Sequence, residues 1–250
     1  MIFNLPKVIG HRGVRNLAPE NTIQSIKRAI EFNFKWIEID VKISKDHIPI
    51  LLHDDTLNRT TSGTGSPLDF KYNLLSKLDA GMWFSDKYKN TSIPTLKQAL
   101  EYCSLNKINV NIELKPNQGF EQENVYAVVH LIKKININCK YYFSSFDWSS
   151  SILIKKLLPM SDVGILIDSI DVKFNINKIL DLCKQHNFFS CGFNLKIISK
   201  DIVELFKIYG IYISVYSSNN IKKDNAIKLW KIGVNSIFID DPKAYNDMLK

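Results

Sequence analysis

Apolar positions along this 250-residue chain follow two alternating rhythms. Short runs rich in β-branched and aromatic residues recur at KVIG (7–10), KWIEIDVKI (35–43), PILLH (49–53), INVNIEL (108–114) and YYFSSF (141–146). They continue at VGILID (163–168), FSCGFNL (189–195), IYISVYS (211–217) and SIFID (236–240), and each reads as a strand. Between most of them lie stretches with apolar residues three and four apart, such as NTIQSIKRAIEF, TLKQALEYCSLN and SKDIVELFKIYG. These read as helices capped by Asn21 or Thr22, by Thr95 and by Ser199. Strand alternating with helix predicts βα units around a parallel sheet, in the α/β class. No repeat, low-complexity tract or linker divides the chain, so one domain is expected over residues 1–250.

Nine strands exceed a (β/α)8 TIM barrel by one, and the excess has a location. Only five residues separate Ile43 from Pro49, too few for a parallel crossover, so PILLH is expected to return antiparallel as a β-hairpin after the second strand. With a turn at Lys45, Asp46 and His47, Ile43 would sit opposite Ile48 and Glu38 opposite His53.

Composition narrows the class of protein. A hydrophobic content of 45% and a mean hydropathy of −0.09 suit one sizeable core. No apolar run approaches the roughly 20 residues that cross a bilayer. The opening MIFNLPKVIG lacks the features of a secretory signal, so the expectation is a cytoplasmic protein without stable membrane association. Four cysteines without CxxC spacing read as reduced, buried thiols. The net charge of +8 is scattered, which argues against a nucleic-acid surface and leaves weak attraction for phosphorylated small molecules.

The polar residues that interrupt the strands carry the chemistry. Glu38 and Asp40 are two apart and share a strand face, whereas Ile37, Ile39 and Val41 take the other. Two carboxylates pointing into a barrel mouth repel unless a cation, or an Arg or Lys partner for each, neutralises them. Glu113 ends the next barrel strand, with Lys115 two residues on, and the first strand runs directly into His11-Arg12-Gly13. Together with His53, these residues ask for a metal, two proton-transfer groups and an anion clamp at the strand C-termini.

The motifs GHRG (10–13), APENT (18–22), EIDV (38–41), HDDTLNRTT (53–61) and LDAGMWF (78–84) resemble those of the glycerophosphodiester phosphodiesterase family of TIM-barrel phosphodiesterases. So do IPTL (93–96), IELK (112–115), SSF (144–146) and GVNSIFIDDP (233–242), in the family's order across nearly the whole chain. The resemblance implies hydrolysis of glycerophosphodiesters, such as glycerophosphocholine and glycerophosphoethanolamine, to sn-glycerol 3-phosphate and an alcohol with one divalent cation, Mg2+ or Ca2+. It implies Glu38, Asp40 and Glu113 as metal ligands, His11 and His53 as general acid and base, and Arg12 and Lys115 as phosphate contacts. Which histidine is the acid stays open, as does direct water attack against a cyclic intermediate.

Residues 54–90 are expected to form a capping insertion, with NRTTSGTGSP as loop and LLSKLDAGMWF as a short helix. The resemblance implies that this cap helps receive glycerol. Trp83 and Phe84 are candidates for a pocket wall or for core packing, and Glu20 for a substrate contact or a helix start. Asp168 and Asn194 end strands and are weak candidates for the mouth; His47, His130 and His186 receive no role. The chain departs from the resemblance at Gln98 on an outer helix and at Lys196, Tyr216 and Ser217 near the late strands, where alcohol specificity would be set. Two other readings are a lysophospholipase D and a barrel that binds phosphate esters without catalysis. The first would call for an apolar groove, and the second for loss of one of the seven site residues, all of which are present.

Overall fold

In the computed structural model the described residues are 5–170 and 175–249, so the first four residues of MIFNLPKVIG lie outside them. The chain runs β1 (Val8–Gly10), α1 (Ile23–Glu31), β2 (Trp36–Ile43), β3 (Pro49–Leu51), α2 (Tyr72–Leu75), α3 (Leu96–Leu105), β4 (Asn109–Leu114) and α4 (Glu121–Lys134). It continues through β5 (Tyr141–Ser144), α5 (Trp148–Leu157), β6 (Gly164–Ile167), α6 (Ile176–Gln185), β7 (Ser190–Asn194), α7 (Lys200–Ile208), β8 (Tyr212–Tyr216), α8 (Lys223–Ile232) and β9 (Ser236–Ile239). All strands except β3 pair in parallel, in the order β5-β4-β2-β1-β9-β8-β7-β6. The circle closes at a Phe143–Val163 bridge and a hydrogen bond from Leu166 N to Ser145 O of 2.9 Å. This is the expected eight-stranded parallel barrel, ringed by helices.

Several helices start where a side chain supplies the missing acceptor. Thr22 and Ser25 form a reciprocal capping box on α1, and Thr95 and Gln98 form one on α3. Gln98 therefore serves the outer helix that carries it. Every residue of β2 is buried, because helices cover one face and the barrel interior the other. Ile37, Ile39 and Val41 join the large core beneath the helices. On the inner face, Trp36 joins Leu5, Ile9, Tyr142 and Phe238 in an apolar plug, and Glu38, Asp40 and Lys42 follow toward the C-terminal end. Each fully buried aliphatic side chain contributes about 1.5–3 kcal/mol, so the plug and outer core hold the strands that carry the acids in place.

The hairpin forms, but its register differs by one residue from the expectation. Ile43 pairs with Pro49 and Val41 with Leu51, because His47, at φ 55°, turns the chain with its N–H bonded to Ser44 O. Continued, this ladder would put His53 opposite Ile39, facing the helices. Pairing instead ends at Leu52, whose N–H donates to Asp40 O at 3.2 Å, and the chain is then free to turn His53 toward the mouth.

The segment from Asp54 onward gathers around its own apolar cluster of Leu57, Leu75 and Ala80, seated on Ile50, Leu52 and Ile93. The helix expected in LLSKLDAGMWF stops at Leu75. Asp79 accepts hydrogen bonds from the N–H groups of Gly81 and Met82, which favours a turn over helix at that point. Among the described residues no helix is long and apolar enough to cross a membrane.

Candidate active site

The turn after β1 sets the first site residues. Arg12 adopts φ 50° and Gly13 φ 81°, and a Cβ at Gly13 would lie 2.5 Å from the Ser25 hydroxyl. A left-handed backbone at a long side chain costs about 1–3 kcal/mol. It is offset here by bonds from Arg12 N to Glu38 Oε2 (2.9 Å) and from Gly13 N to Glu38 O (3.1 Å).

Parallel pairing sets Asp40 beside Glu113, and Glu38 precedes Asp40 by one inward position. One oxygen from each of these three buried carboxylates lies within 4.8 Å of the other two. Asn21, also left-handed at φ 56°, clamps Asp40: its Nδ2 donates to Oδ2 at 2.8 Å, and its Oδ1 accepts from Asp40 N at 3.0 Å. Thr22 makes the helix cap, so Asn21 is spared for this task.

Pairing with basic groups is uneven across the trio. Lys115 Nζ sits 2.9 Å from Glu113 Oε1 and 3.6 Å from Asp40 Oδ1, while Arg12 Nε lies 3.2 Å from Asp40 Oδ2. Burial opposes ionisation of Asp40, but Arg12 and Lys115 hold it well below the usual carboxylate range. Glu113 is pushed up by burial, against the pull of Lys115. Burial, with the charges of Asp40 and Glu113, raises Glu38 well above its ordinary value, and its Oε1 is buried without a hydrogen-bond partner. Three carboxylates thus face two cationic side chains, with the shortfall at Glu38. Hard oxygen donors around an orphaned buried carboxylate oxygen suit a divalent cation such as Mg2+ or Ca2+.

Both histidines carry a carboxylate on the same ring nitrogen. His11 Nδ1 is 2.7 Å from Asp240 Oδ1, and Arg15 grips Asp240 through Nε and Nη2 at 2.7 and 2.9 Å. His53 Nδ1 is 2.6 Å from Asp54 Oδ1, and Arg59 grips Asp54 through Nε and Nη2 at 2.7 and 2.8 Å. An ionised carboxylate only accepts, so each Nδ1 carries the proton and each Nε2 presents its lone pair. Burial lowers the pKa of both rings, against the neighbouring carboxylates.

His11, His53, Glu38, Asp40, Glu113 and Lys115 line one cavity of about 210 Å³, with Arg12 and Arg15. Phe146, Asp168, Asn194 and Tyr216 form its far wall.

A family model, the glycerophosphoryl diester phosphodiesterase family, matches residues 11–244. The chain belongs to that family. Membership makes it a phosphoric diester hydrolase. It is 32% identical over 248 residues to a glycerophosphodiester phosphodiesterase of Caldanaerobacter subterraneus subsp. tengcongensis, covering 97% of each chain. An Oleispira antarctica phosphodiesterase, solved in complex with the product sn-glycerol-3-phosphate, is 32% identical and superposes with a TM-score of 0.90 over 98% of this chain and 97% of that one. A Thermotoga maritima glycerophosphodiester phosphodiesterase, at 23% identity, TM-score 0.76 and coverage of 98% and 99%, shares the fold.

Within this phosphodiesterase the site residues named from sequence meet in one place, whereas the pocket candidates do not. Trp83 and Phe84 do not line the cavity: the indole Nε1 donates to Ala80 O, and the two rings pack edge to face, with Phe84 next against Tyr88. Glu20 is buried beside the cavity with both oxygens taken by guanidinium groups, from Arg12 at 2.7 Å and from Arg59 at 2.8 Å. Asp168 and Asn194, weak candidates singly, bond to each other at 2.8 Å across the far wall. Sequence reasoning missed the parts played by Asp240, Asp54, Arg15 and Arg59. Their signal was acidic pairs directly after strands, in HDD and IDDP, each with an arginine elsewhere in a strand-end loop.

Proposed function

We propose that the protein hydrolyses glycerophosphodiesters, such as glycerophosphocholine and glycerophosphoethanolamine, to sn-glycerol 3-phosphate and an alcohol, using one divalent cation. One observation carries this reading: three buried carboxylates within 4.8 Å of one another share a cavity with two imidazoles, each fixed through Nδ1. The product bound by the Oleispira antarctica relative supports the glycerol phosphate side.

Glu38, Asp40 and Glu113 would hold the cation, which supplies Lewis-acid polarisation and charge neutralisation at a phosphoryl oxygen. Arg12 and Lys115 orient the nonbridging oxygens, the first as a planar fork and the second as a point charge. One imidazole Nε2 takes the proton of the attacking hydroxyl. The other, in its protonated form, gives one to the departing alkoxide, from the opposite side of phosphorus. Asp240 and Asp54 stabilise each ring when it is positively charged and hold its Nε2 toward the cavity. The 54–90 segment caps the side of the mouth next to His53.

Release of sn-glycerol 3-phosphate from a panel of glycerophosphodiesters, with Mg2+, with Ca2+ and with EDTA, tests the proposal. Turnover that needs a divalent cation supports it. No release, or release indifferent to EDTA, counts against it, and faster hydrolysis of lysophosphatidylcholine would move the assignment to a lysophospholipase D.

A further inference from the structure

Arg59 lies in the capping segment with its side chain 43% exposed, a setting in which an ion pair contributes little to stability. Its geometry is unlike that of an incidental surface pair. Nε and Nη2 reach the two oxygens of Asp54 at 2.7 and 2.8 Å, and Nη1 and Nη2 reach the two oxygens of Glu20, both at 2.8 Å. One guanidinium therefore joins two carboxylates. Each of these holds a different group of the cavity: Asp54 holds His53 Nδ1 at 2.6 Å, and Glu20 holds Arg12 Nη1 at 2.7 Å. Arg12 in turn faces Asp40 at 3.2 Å. Charges of alternating sign run unbroken from Asp54 to Asp40, with the His53 ring bonded to the first of them.

We propose that Arg59 is a positioning residue that fixes the His53 imidazole and the Arg12 phosphate clamp relative to each other by bridging Asp54 and Glu20. The proposal rests on the phosphodiesterase reading above. A fork of planar N–H donors is needed, because one ammonium group cannot make four directed bonds to two carboxylates. The His11 side is independent of it: Asp240 is held by Arg15 and by Asn220, whose Oδ1 accepts from Asp240 N at 2.8 Å. Without Arg59, buried Glu20 keeps Arg12 as a partner at 2.7 Å, and thermal melts run beside the kinetics show that each variant is folded.

The test compares Arg59→Ala and Arg59→Lys with the unmodified protein. Arg59→Ala is expected to lower kcat about 10–100-fold, the range seen for outer partners of site ligands, and to raise KM as Arg12 loosens. Arg59→Lys is expected to recover only a small part of this. Because the position is half exposed, guanidinium at tens of millimolar should restore Arg59→Ala in a saturable way, while methylammonium or sodium at equal ionic strength should not. Binding of sn-glycerol 3-phosphate, followed by calorimetry, should weaken about tenfold in Arg59→Ala and recover with guanidinium.

A readout free of substrate separates this proposal from the assigned function. The downfield Nδ1–H resonance of His53, identified by its loss in His53→Gln, should broaden or shift in Arg59→Ala and return with guanidinium. Should the unmodified protein hydrolyse no diester, the functional reading fails and this resonance still decides the role of Arg59. An unchanged resonance, kinetics equal to the unmodified protein, a fully active Arg59→Lys, or a loss that guanidinium does not repair would each overturn the proposal.

Discussion

His11 Nδ1 and Asp240 Oδ1, 229 residues apart along the chain, meet at 2.7 Å across the seam where β1 pairs with β9. Parallel pairing of Gly10 with Ile239 brings the next residue on each strand to the same level, and His11 N donates to Ile239 O at 2.9 Å. Asp240 thereby sets which ring nitrogen carries the proton; burial opposes its ionisation, but His11 and then Arg15 hold it below its ordinary value, and Arg15 also orients it. The arrangement repeats at His53 with Asp54 and Arg59, although those residues come from a loop.

Replacement of either His11 or His53 by alanine should lower kcat on the order of 10²–10⁴-fold, the usual contribution of a positioned acid or base. Asp240 and Asp54 keep their arginine partners when either ring is lost, so melting temperatures should change little. Steady-state kinetics on glycerophosphocholine, alongside thermal melts, check both. A variant that keeps the full rate removes that ring from the reaction.

Asp240→Asn tests the tautomer argument. An asparagine amide can donate to Nδ1, which would move the ring proton to Nε2 and remove the lone pair from the cavity. A loss of kcat on the order of 10²–10⁴-fold with a nearly unchanged melt is expected. Asp240→Glu, which keeps an acceptor, should retain more activity than Asp240→Asn; the reverse order would count against orientation as the role of Asp240.

Glu38 makes stability depend on pH and on cations. Burial and its acidic neighbours raise its folded-state pKa, so the folded protein holds this proton more tightly than the unfolded chain. Below the unfolded value, about 4.3, both states are protonated and Glu38 brings no penalty. As pH rises through and beyond that value, the unfolded chain ionises first, and the penalty grows until Glu38 ionises in the fold as well. In EDTA at neutral pH, Glu38→Gln should therefore stabilise the protein by about 1–3 kcal/mol, and the gain should vanish in acid. Mg2+ or Ca2+ at a hundredfold excess over Kd should instead stabilise the unmodified protein by about 2.7 kcal/mol and Glu38→Gln by much less. Calorimetric scans in EDTA and in each cation decide the matter.

At Asn21, backbone strain and the hold on Asp40 can be separated. Asn21→Gly loses the two amide bonds to Asp40 but tolerates φ 56°, whereas Asn21→Ala loses the bonds and bears the left-handed backbone. Asn21→Ala should be less stable than Asn21→Gly by about 1–2 kcal/mol, and both should bind divalent cations more weakly. Denaturant melts and cation titrations measure the two effects; equal stabilities would remove strain from the account.

The βα alternation, the surplus strand and the inward face of Glu38 and Asp40 were legible because each depends on local periodicity and on a loop too short to cross over. Glu113 and Lys115 were legible for the same reason, one strand later. The one-residue error at the hairpin arose because the positive φ of His47 and the turn closed on Ser44 shift pairing without any change in the apolar pattern. Trp83 and Phe84 stayed open between two readings because an aromatic pair near a mouth looks alike whether it faces a cavity or its own turn; in the fold Trp83 Nε1 bonds to Ala80 O and neither ring lines the cavity.

Residue order by itself determined the barrel, the strand ends and which titratable groups those ends carry, since these follow from alternation, spacing and the burial of apolar faces. Only the closed tertiary structure decided that Asp240 serves His11, that Arg59 spans Asp54 and Glu20, and that Lys115 leans between Asp40 and Glu113. Such contacts join strand-end loops across the barrel mouth or choose among near neighbours, and their partners are set by angstrom-scale distances and the cost of leaving a buried charge unpaired, neither of which leaves a period in the sequence.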